Sequence, residues 1–166
     1  MIGFDEQHLQ WAWEKFWEVS NTNFDSLIKG AVIQTTSVSN TQQVGCPPAT
    51  TALIGQFPEE TAFKHILTHE LGHAIRNCAG RERAQESAYM NAHKIEGGVS
   101  YYGRNAPACT GSDNASEDYA EMIAFYLNPG IPVKSYLKCY PQSQSRYTEQ
   151  DFPLHYQVAR DVLGGY

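Results

Sequence analysis

Long apolar runs, a basic surplus and closely spaced cysteines are all missing from this chain of 166 residues. No stretch approaches the roughly 20 apolar residues of a membrane-spanning helix, so we expect no membrane insertion. Lysine and arginine total 12 against 18 aspartates and glutamates, and the formal net charge of -6 leaves no basic surface for nucleic acid. The absence of a Cys-x-x-Cys pair argues against a structural zinc site of the finger type.

The cysteines that are present bear on the cellular compartment. They are widely spaced, at Cys46, Cys78, Cys109 and Cys139, which favours two disulfides with three possible connectivities. Disulfides predict a secreted, extracellular protein, whereas reduced and buried thiols in a cytosolic protein are the alternative. No signal peptide is recognisable, so we expect an exported chain to be a mature or trimmed form.

The most informative segment is 69–73, with the sequence His-Glu-Leu-Gly-His. Residues four apart lie on one face of an α-helix, so His69 and His73 can bind one ion while Glu70 lies beside it. The opposite side of this helix carries an apolar stripe that would be buried, namely Phe63, Ile66, Leu67, Leu71, Ala74 and Ile75. The pattern predicts a zinc-binding helix with Glu70 as a general base.

A catalytic zinc ion normally has three protein ligands and a water, so one more ligand is needed. An acidic helix predicted at 116–127 carries Glu117 and Glu121 on one face, although a merely solvated acidic face is the alternative. We predict that Glu117 is the ligand and that Glu121 orients an imidazole from its far nitrogen. His93 is the alternative ligand, and we expect His65 to line the cleft or to be solvated.

Three blocks of this sequence resemble the lethal-factor-like zinc metallopeptidases, a gluzincin family that includes the Pro-Pro endopeptidases. The blocks are 69–73, 99–105 (Val-Ser-Tyr-Tyr-Gly-Arg-Asn) and 117–121 (Glu-Asp-Tyr-Ala-Glu). The resemblance covers the middle of the chain, and the flanks match no family that we recognise. It implies a zincin-like fold and a single catalytic zinc ion.

The resemblance also implies a role for each matching residue. It assigns the metal to His69, His73 and Glu117, and it assigns catalysis to Glu70 and Tyr102. In the family, the glutamate activates water and the tyrosine assists the transition state. Family members usually have a short link between tyrosine and metal-binding glutamate, whereas residues 106–114 intervene here. Tyr101 therefore remains an alternative to Tyr102, and simple packing of the aromatic ring remains another.

Substrate binding in such folds often uses an exposed sheet edge, which accepts an extended peptide as an added strand. The short, partly β-branched segment 50–56 precedes the metal helix and is predicted to be that edge strand. The residues expected to contact substrate are Leu53, Ile54 and Gly55. An ordinary sheet strand without substrate contact is the alternative.

The chain as a whole fits a single domain over residues 1–166 of the α+β class. We predict a zincin-like, mostly helical fold with a small sheet whose edge strand precedes the active-site helix. Further helices are predicted at 5–20, 81–94 and 151–163, a strand at 30–38, a loop at 40–48, and no clear state at 131–140.

Two finer predictions concern the terminal helices. The first helix carries an apolar stripe that we expect to join the core, made of Leu9, Trp13, Phe16 and Trp17. The last helix is expected to begin with Asp151 as its cap and Pro153 in its first turn.

Together these features predict a secreted zinc-dependent endopeptidase in which zinc activates a water and a glutamate is the general base. We expect a monomer that acts on protein or peptide substrates, with a weak preference for basic or neutral peptides because of the net charge. Two alternatives remain open. The chain could be a catalytically silent zincin-fold binding module, or it could be the catalytic domain of a larger secreted toxin.

Overall fold

The computed structural model describes residues 1–38, 41–46, 51–100, 102–104, 114–130 and 147–164. Within them the α+β class is confirmed, because most of the elements are helices and the strands form one three-stranded sheet. The elements in chain order are α1 (Glu6–Glu18), α2 (Phe24–Leu27), β1 (Val32–Thr36), β2 (Gln42–Val44), β3 (Thr51–Gly55), α3 (Glu60–Cys78), α4 (Glu86–Glu96), α5 (Asn114–Leu127) and α6 (Pro153–Leu163). None of the helices among these residues is both long and apolar enough to cross a membrane.

The sheet has the order β1-β3-β2, with β3 parallel to β1 and antiparallel to β2. The prediction that segment 50–56 forms an edge strand is therefore wrong. Leu53 pairs with Gln34 on one side and with Gln42 on the other. Ile54 is fully buried, and Gly55 donates its backbone N–H to Thr41 Oγ1. The predicted substrate-binding residues Leu53, Ile54 and Gly55 thus lie in the central strand.

In the described part of the sheet β1 and β2 are the edge strands, and β2 lies inside the segment 40–48 that was predicted to be a loop. Its three residues, Gln-Gln-Val, are too few and too polar to show an alternating apolar pattern. The strand is defined by its hydrogen-bonded pairing with β3, which its local sequence does not predict. An edge strand next to the active-site helix therefore exists, but it is β2.

Helix α3 lies between the sheet and α5 and is buried on nearly all sides. The predicted apolar stripe is in the core, with Phe63, Leu67, Leu71 and Ile75 fully buried. The opposite face, which carries the histidines, is buried as well, because α5 packs against it. Burial of both faces places polar side chains where each must find a partner.

Helix α1 packs differently from the prediction. Trp13 and Trp17 have exposed fractions of 66% and 72%, so the expectation that their stripe joins the core is wrong for both. Leu9 is also exposed, whereas Phe16 is half-buried against the core. The neighbouring face, with His8, Ala12 and Lys15, is buried instead, and there Lys15 Nζ donates to the Leu127 carbonyl at 3.0 Å.

The last helix begins without the predicted cap. Its N-cap residue is Phe152, with Pro153 in the first turn as predicted, and Asp151 bonds to Thr148 instead. The helix amides of Leu154 and His155 donate to the carboxylate of Glu96, at 2.7 and 3.0 Å. A side chain from α4 thus replaces the local cap, which sequence alone does not reveal.

One disulfide, Cys46–Cys78, joins the segment after β2 to the last residue of α3. It links the edge strand to the helix that carries the histidines. The other two cysteines, Cys109 and Cys139, lie outside the described residues, as does segment 131–140.

Replacing Cys46 and Cys78 together by serine should lower the free energy of unfolding by about 3.7 kcal/mol. The estimate follows from the loop-closure entropy of a link between residues 32 apart. For a domain of this size the melting temperature should fall by roughly 10 °C. Calorimetry on the double variant and the parent measures the difference, and equal melting temperatures would show that this link contributes no stability.

Candidate metal centre

Helices α3 and α5 bring together the three predicted ligands. Glu117 Oε2 lies 3.2 Å from His69 Nε2 and 3.2 Å from His73 Nε2. All three side chains are buried, and their donor atoms lie within 4.8 Å of one another. A tetrahedral ion with bonds of about 2.0 Å separates its ligand atoms by about 3.3 Å. The donor types and spacing therefore fit a zinc ion.

Each imidazole also has a partner at its second nitrogen. Glu121 Oε1 lies 2.8 Å from His69 Nδ1, where the sequence predicted an orienting carboxylate. Ser116 Oγ lies 3.3 Å from His73 Nδ1, a contact that the sequence analysis missed. The only sequence signal for Ser116 is its position one residue before Glu117. These contacts leave each Nε2 facing the shared centre.

His65 does not line the cleft and is not solvated, so that expectation is wrong. Its side chain is 1% exposed, and its Nε2 lies 3.1 Å from Glu121 Oε1. The ring of Phe125 packs against it at a centroid distance of 4.8 Å. The cause is that α5 covers this turn of α3. His65 and His69 thus share one oxygen of Glu121.

Contacts between the histidines and the carboxylates shift the pKa values of the centre. Burial opposes ionisation of Glu117 and Glu121, but hydrogen bonds from the histidines outweigh it and lower both carboxyl pKa values. Burial would likewise lower the pKa of His69, yet its bonds to these two carboxylates raise that pKa well above the ordinary range. Two ionised carboxylates, together with imidazoles that bind metal in their neutral form, make a donor set suited to a divalent cation.

Glu70 lies beside the three donors in a cleft of about 1010 Å³. Burial raises the pKa of its carboxyl group, partly offset by His69 and His73. A backbone hydrogen bond from Gln43 in β2 also acts to lower that pKa, so the edge strand contacts this residue. Among the described residues, the others that line the cleft are Thr41, Gln42, Gln43, His73, Arg76, Asn77, Gly80, Arg81, Glu86, Tyr102, Ser116 and Glu117.

The predicted catalytic tyrosine reaches the same cleft. The Tyr102 ring lies 5.9 Å from the His69 ring, centroid to centroid, and the side chain is 6% exposed. Tyr101 lies outside the described residues. The structure therefore brings together Glu70, Tyr102 and the three candidate ligands. Leu53, Ile54 and Gly55 do not line the cleft among the described residues.

Gly72 allows α3 and α5 to approach closely enough for these contacts. A Cβ atom at this position would lie 3.0 Å from Ala120 Cα and 3.2 Å from its carbonyl oxygen. The neighbouring backbone would have to shift by a few tenths of an ångström. Glycine inside the motif is therefore a packing requirement of this helix pair.

The Gly72→Ala variant should push α5 away from α3 and separate Glu117 from the histidines. We expect a loss of about 1–3 kcal/mol in unfolding free energy, typical of overpacking, and a weaker apparent zinc affinity. Denaturant titration and competition with a zinc chelator measure the two effects. Ala74→Gly removes a methyl on the same helix and serves as the control; equal zinc affinity in both variants would contradict this account.

The alternative ligand His93 belongs to a separate cluster. Its Nδ1 lies 2.7 Å from Asp118 Oδ2, which also lies 3.0 Å from His155 Nε2. These are direct hydrogen-bond distances. His93 therefore belongs to a cluster around Asp118 and not to the group formed by His69, His73 and Glu117.

Searches against protein-family models, curated proteins and solved structures found no match to this chain. A functional conclusion therefore depends on the geometry of the site and on the three sequence blocks.

Proposed function

We propose that this protein is a zinc-dependent endopeptidase of the gluzincin type, with a zincin-like fold. The observation that carries the proposal is that His69 Nε2 and His73 Nε2 each lie 3.2 Å from Glu117 Oε2, with Glu70 close enough to interact with all three groups. A zinc ion bound there would supply a Lewis acid and a water of near-neutral pKa. Glu121 and Ser116 would fix the ring orientations of the two histidines.

The protein side chains divide the proton chemistry between them. Glu70 would accept a proton from the attacking water and return it to the leaving amine. Burial raises the pKa of its carboxyl group, which brings its basicity closer to that needed near neutral pH. Tyr102 would donate its phenolic hydrogen to the developing oxyanion, a contact whose loss typically costs about 10²- to 10³-fold in rate.

We further propose that substrate binds along β2. This strand is the sheet edge that borders the cleft, through Gln42 and Gln43. An extended peptide added there would run over Glu70 and the metal ligands. The corrected position of the edge strand thus replaces Leu53, Ile54 and Gly55 as the substrate-binding site.

Two features bear on the cellular location of the protein and on the choice between catalysis and binding. The disulfide Cys46–Cys78 favours an oxidising, extracellular environment. A silent binding module would have no need for a carboxylate at Glu70, so the buried base favours catalysis. The same site could serve a free-standing monomeric peptidase or the catalytic domain of a larger secreted toxin.

Mass-spectrometric profiling on a diverse peptide library tests the proposal. We expect internal cleavage by the zinc-loaded protein, loss of cleavage after chelation, and recovery when zinc is restored. The cleaved positions would also reveal the subsite preferences. No cleavage by fully zinc-loaded protein across the library would contradict peptidase activity and favour a binding role.

A further inference from the structure

A buried chain of ionisable side chains lies next to the metal centre and plays no part in the mechanism above. Asp118 directly follows Glu117 on α5, and His155 on α6 lies 3.0 Å from its Oδ2. His155 Nδ1 in turn lies 2.7 Å from Glu96 Oε2 on α4. Asp118 and His155 are both fully buried. Three helices therefore meet through the chain Glu96–His155–Asp118.

The other oxygen of Asp118 holds the segment that carries Tyr102. Asp118 Oδ1 accepts the backbone N–H of Val99 at 2.6 Å. Gly103 packs directly on Asp118, since a Cβ there would lie 3.0 Å from its Cα and 3.0 Å from Oδ1. Tyr102 lies between Val99 and Gly103 in the sequence. Asp118 therefore contacts the backbone both before and after this tyrosine.

Two hydrogen bonds also join residues within this segment. Ser100 Oγ accepts the N–H of Gly103 at 2.9 Å, and Arg104 Nε donates to the Gly98 carbonyl at 2.6 Å. Among the described residues, Asp118 is thus a direct contact of this segment through both Val99 and Gly103. A shift of Asp118 would move the Tyr102 ring relative to His69.

A gain in folding stability does not by itself explain why Asp118 and its histidine partners are buried together. Buried ion pairs often contribute no more to stability than well-packed apolar side chains of similar volume. Asp118 is nevertheless satisfied by His93, His155 and Val99, and hydrogen bonds from the two histidines outweigh burial and lower the pKa of its carboxyl group. Such a network fixes one geometry, which is what a catalytic donor requires.

We propose that Asp118 and His155 are positioning residues that hold the Tyr102 hydroxyl in its working place and couple α6 to the metal centre. This inference rests on the proposed function, because Tyr102 matters here as the oxyanion donor. Neither Asp118 nor His155 lines the cleft. The effect on catalysis that we propose passes through Tyr102 and its turn.

A double-mutant cycle tests this dependence. Asp118→Asn and His155→Gln are each made in the parent and in a Tyr102→Phe background, and kcat and KM are measured on one cleaved peptide. In the parent we expect kcat to fall about 10- to 100-fold with KM within about threefold. In the Tyr102→Phe background the further loss should be under about threefold. Equal losses in both backgrounds would overturn the proposal.

His8→Gln is the matched control for the loss of a buried histidine. His8 is also buried and bonds to Asp5 and to the Phe57 carbonyl, away from the metal centre. We expect its melting temperature to fall while kcat stays within about twofold of the parent. A fall in kcat as large as that of His155→Gln would show that any buried histidine has this effect.

Amide hydrogen exchange on the same variants needs no catalytic activity. In Asp118→Asn, or in His155→Gln if the first variant does not fold, the amides of Val99, Gly103 and Arg104 should exchange at least about tenfold faster while those of α1 keep their rates. Uniform acceleration throughout the chain would overturn the positioning role. Selective acceleration in a protein that cleaves no peptide would instead refute the proposed function and leave the anchoring by Asp118 intact.

Discussion

The Glu70→Gln variant is expected to bind zinc as tightly as the parent within a few-fold and to lose at least about 10³-fold in kcat. The amide keeps the size of the carboxylate but cannot accept a proton from water, and general base catalysis typically supplies about 10²- to 10⁴-fold. Glu70 is not one of the three converging donors, so the metal site itself should survive. The loss should exceed that of Tyr102→Phe, which removes one hydrogen bond.

Steady-state kinetics and metal analysis on purified protein measure both halves of this expectation. Glu59→Gln makes the same chemical change at an exposed position just before α3 and should leave kcat within about twofold. Activity of Glu70→Gln within tenfold of the parent would rule out Glu70 as the base.

The Glu117→Ala variant should lose the thermal stabilisation that zinc gives to the parent. A ligand present at 1,000 times its dissociation constant stabilises a folded protein by about 4 kcal/mol, which is about 8–16 °C for a domain of this size. Without Glu117, two imidazoles remain, and a two-ligand site should bind more than about 100-fold more weakly. That loss is larger than the 10- to 100-fold typical of an orienting partner such as Glu121.

Differential scanning fluorimetry with and without zinc measures this shift, and His93→Ala is the control. His93 is the other ligand that the sequence allowed, but its Nδ1 bonds to Asp118. We expect His93→Ala to keep the zinc-induced shift even if its starting stability is lower. If the zinc-induced shift in melting temperature is lost in His93→Ala and kept in Glu117→Ala, the third ligand is His93 and not Glu117.

The sequence predicted the central residues of the candidate site because they follow helical spacing. The interval of four residues places His69 with His73, and Glu117 with Glu121, each on one face of its own helix. Bringing the two faces together required only that the helices pack, and Gly72 makes that packing close. The fold class followed similarly from long periodic segments.

Features that depend on distant partners were missed. β2 is defined by its pairing with β3, and the cap of α6 comes from Glu96 in another helix. The inward face of α1 includes a bond from Lys15 to the Leu127 carbonyl, 112 residues away. No local pattern encodes such contacts. Apolar periodicity therefore assigned the wrong face of α1, and β-branched composition and position before the metal helix assigned the wrong edge of the sheet.

The buried chain of side chains around Asp118 could not be predicted from the sequence for the same reason. Its members come from α4, α5, α6 and the segment before Tyr102, so nothing in their spacing connects them. On sequence, Asp118 is one more acid in an acidic helix. Its complete burial is the property that separates it from a solvated residue, and burial is a tertiary property.

Crystallography of the zinc-loaded protein, with anomalous diffraction recorded at the zinc absorption edge, tests the central claim most directly. The expected result is one strong anomalous peak about 2.0–2.2 Å from His69 Nε2, His73 Nε2 and Glu117 Oε2, with a water as the fourth ligand near Glu70. A peak among His93, Asp118 and His155, or no peak between α3 and α5, would contradict it.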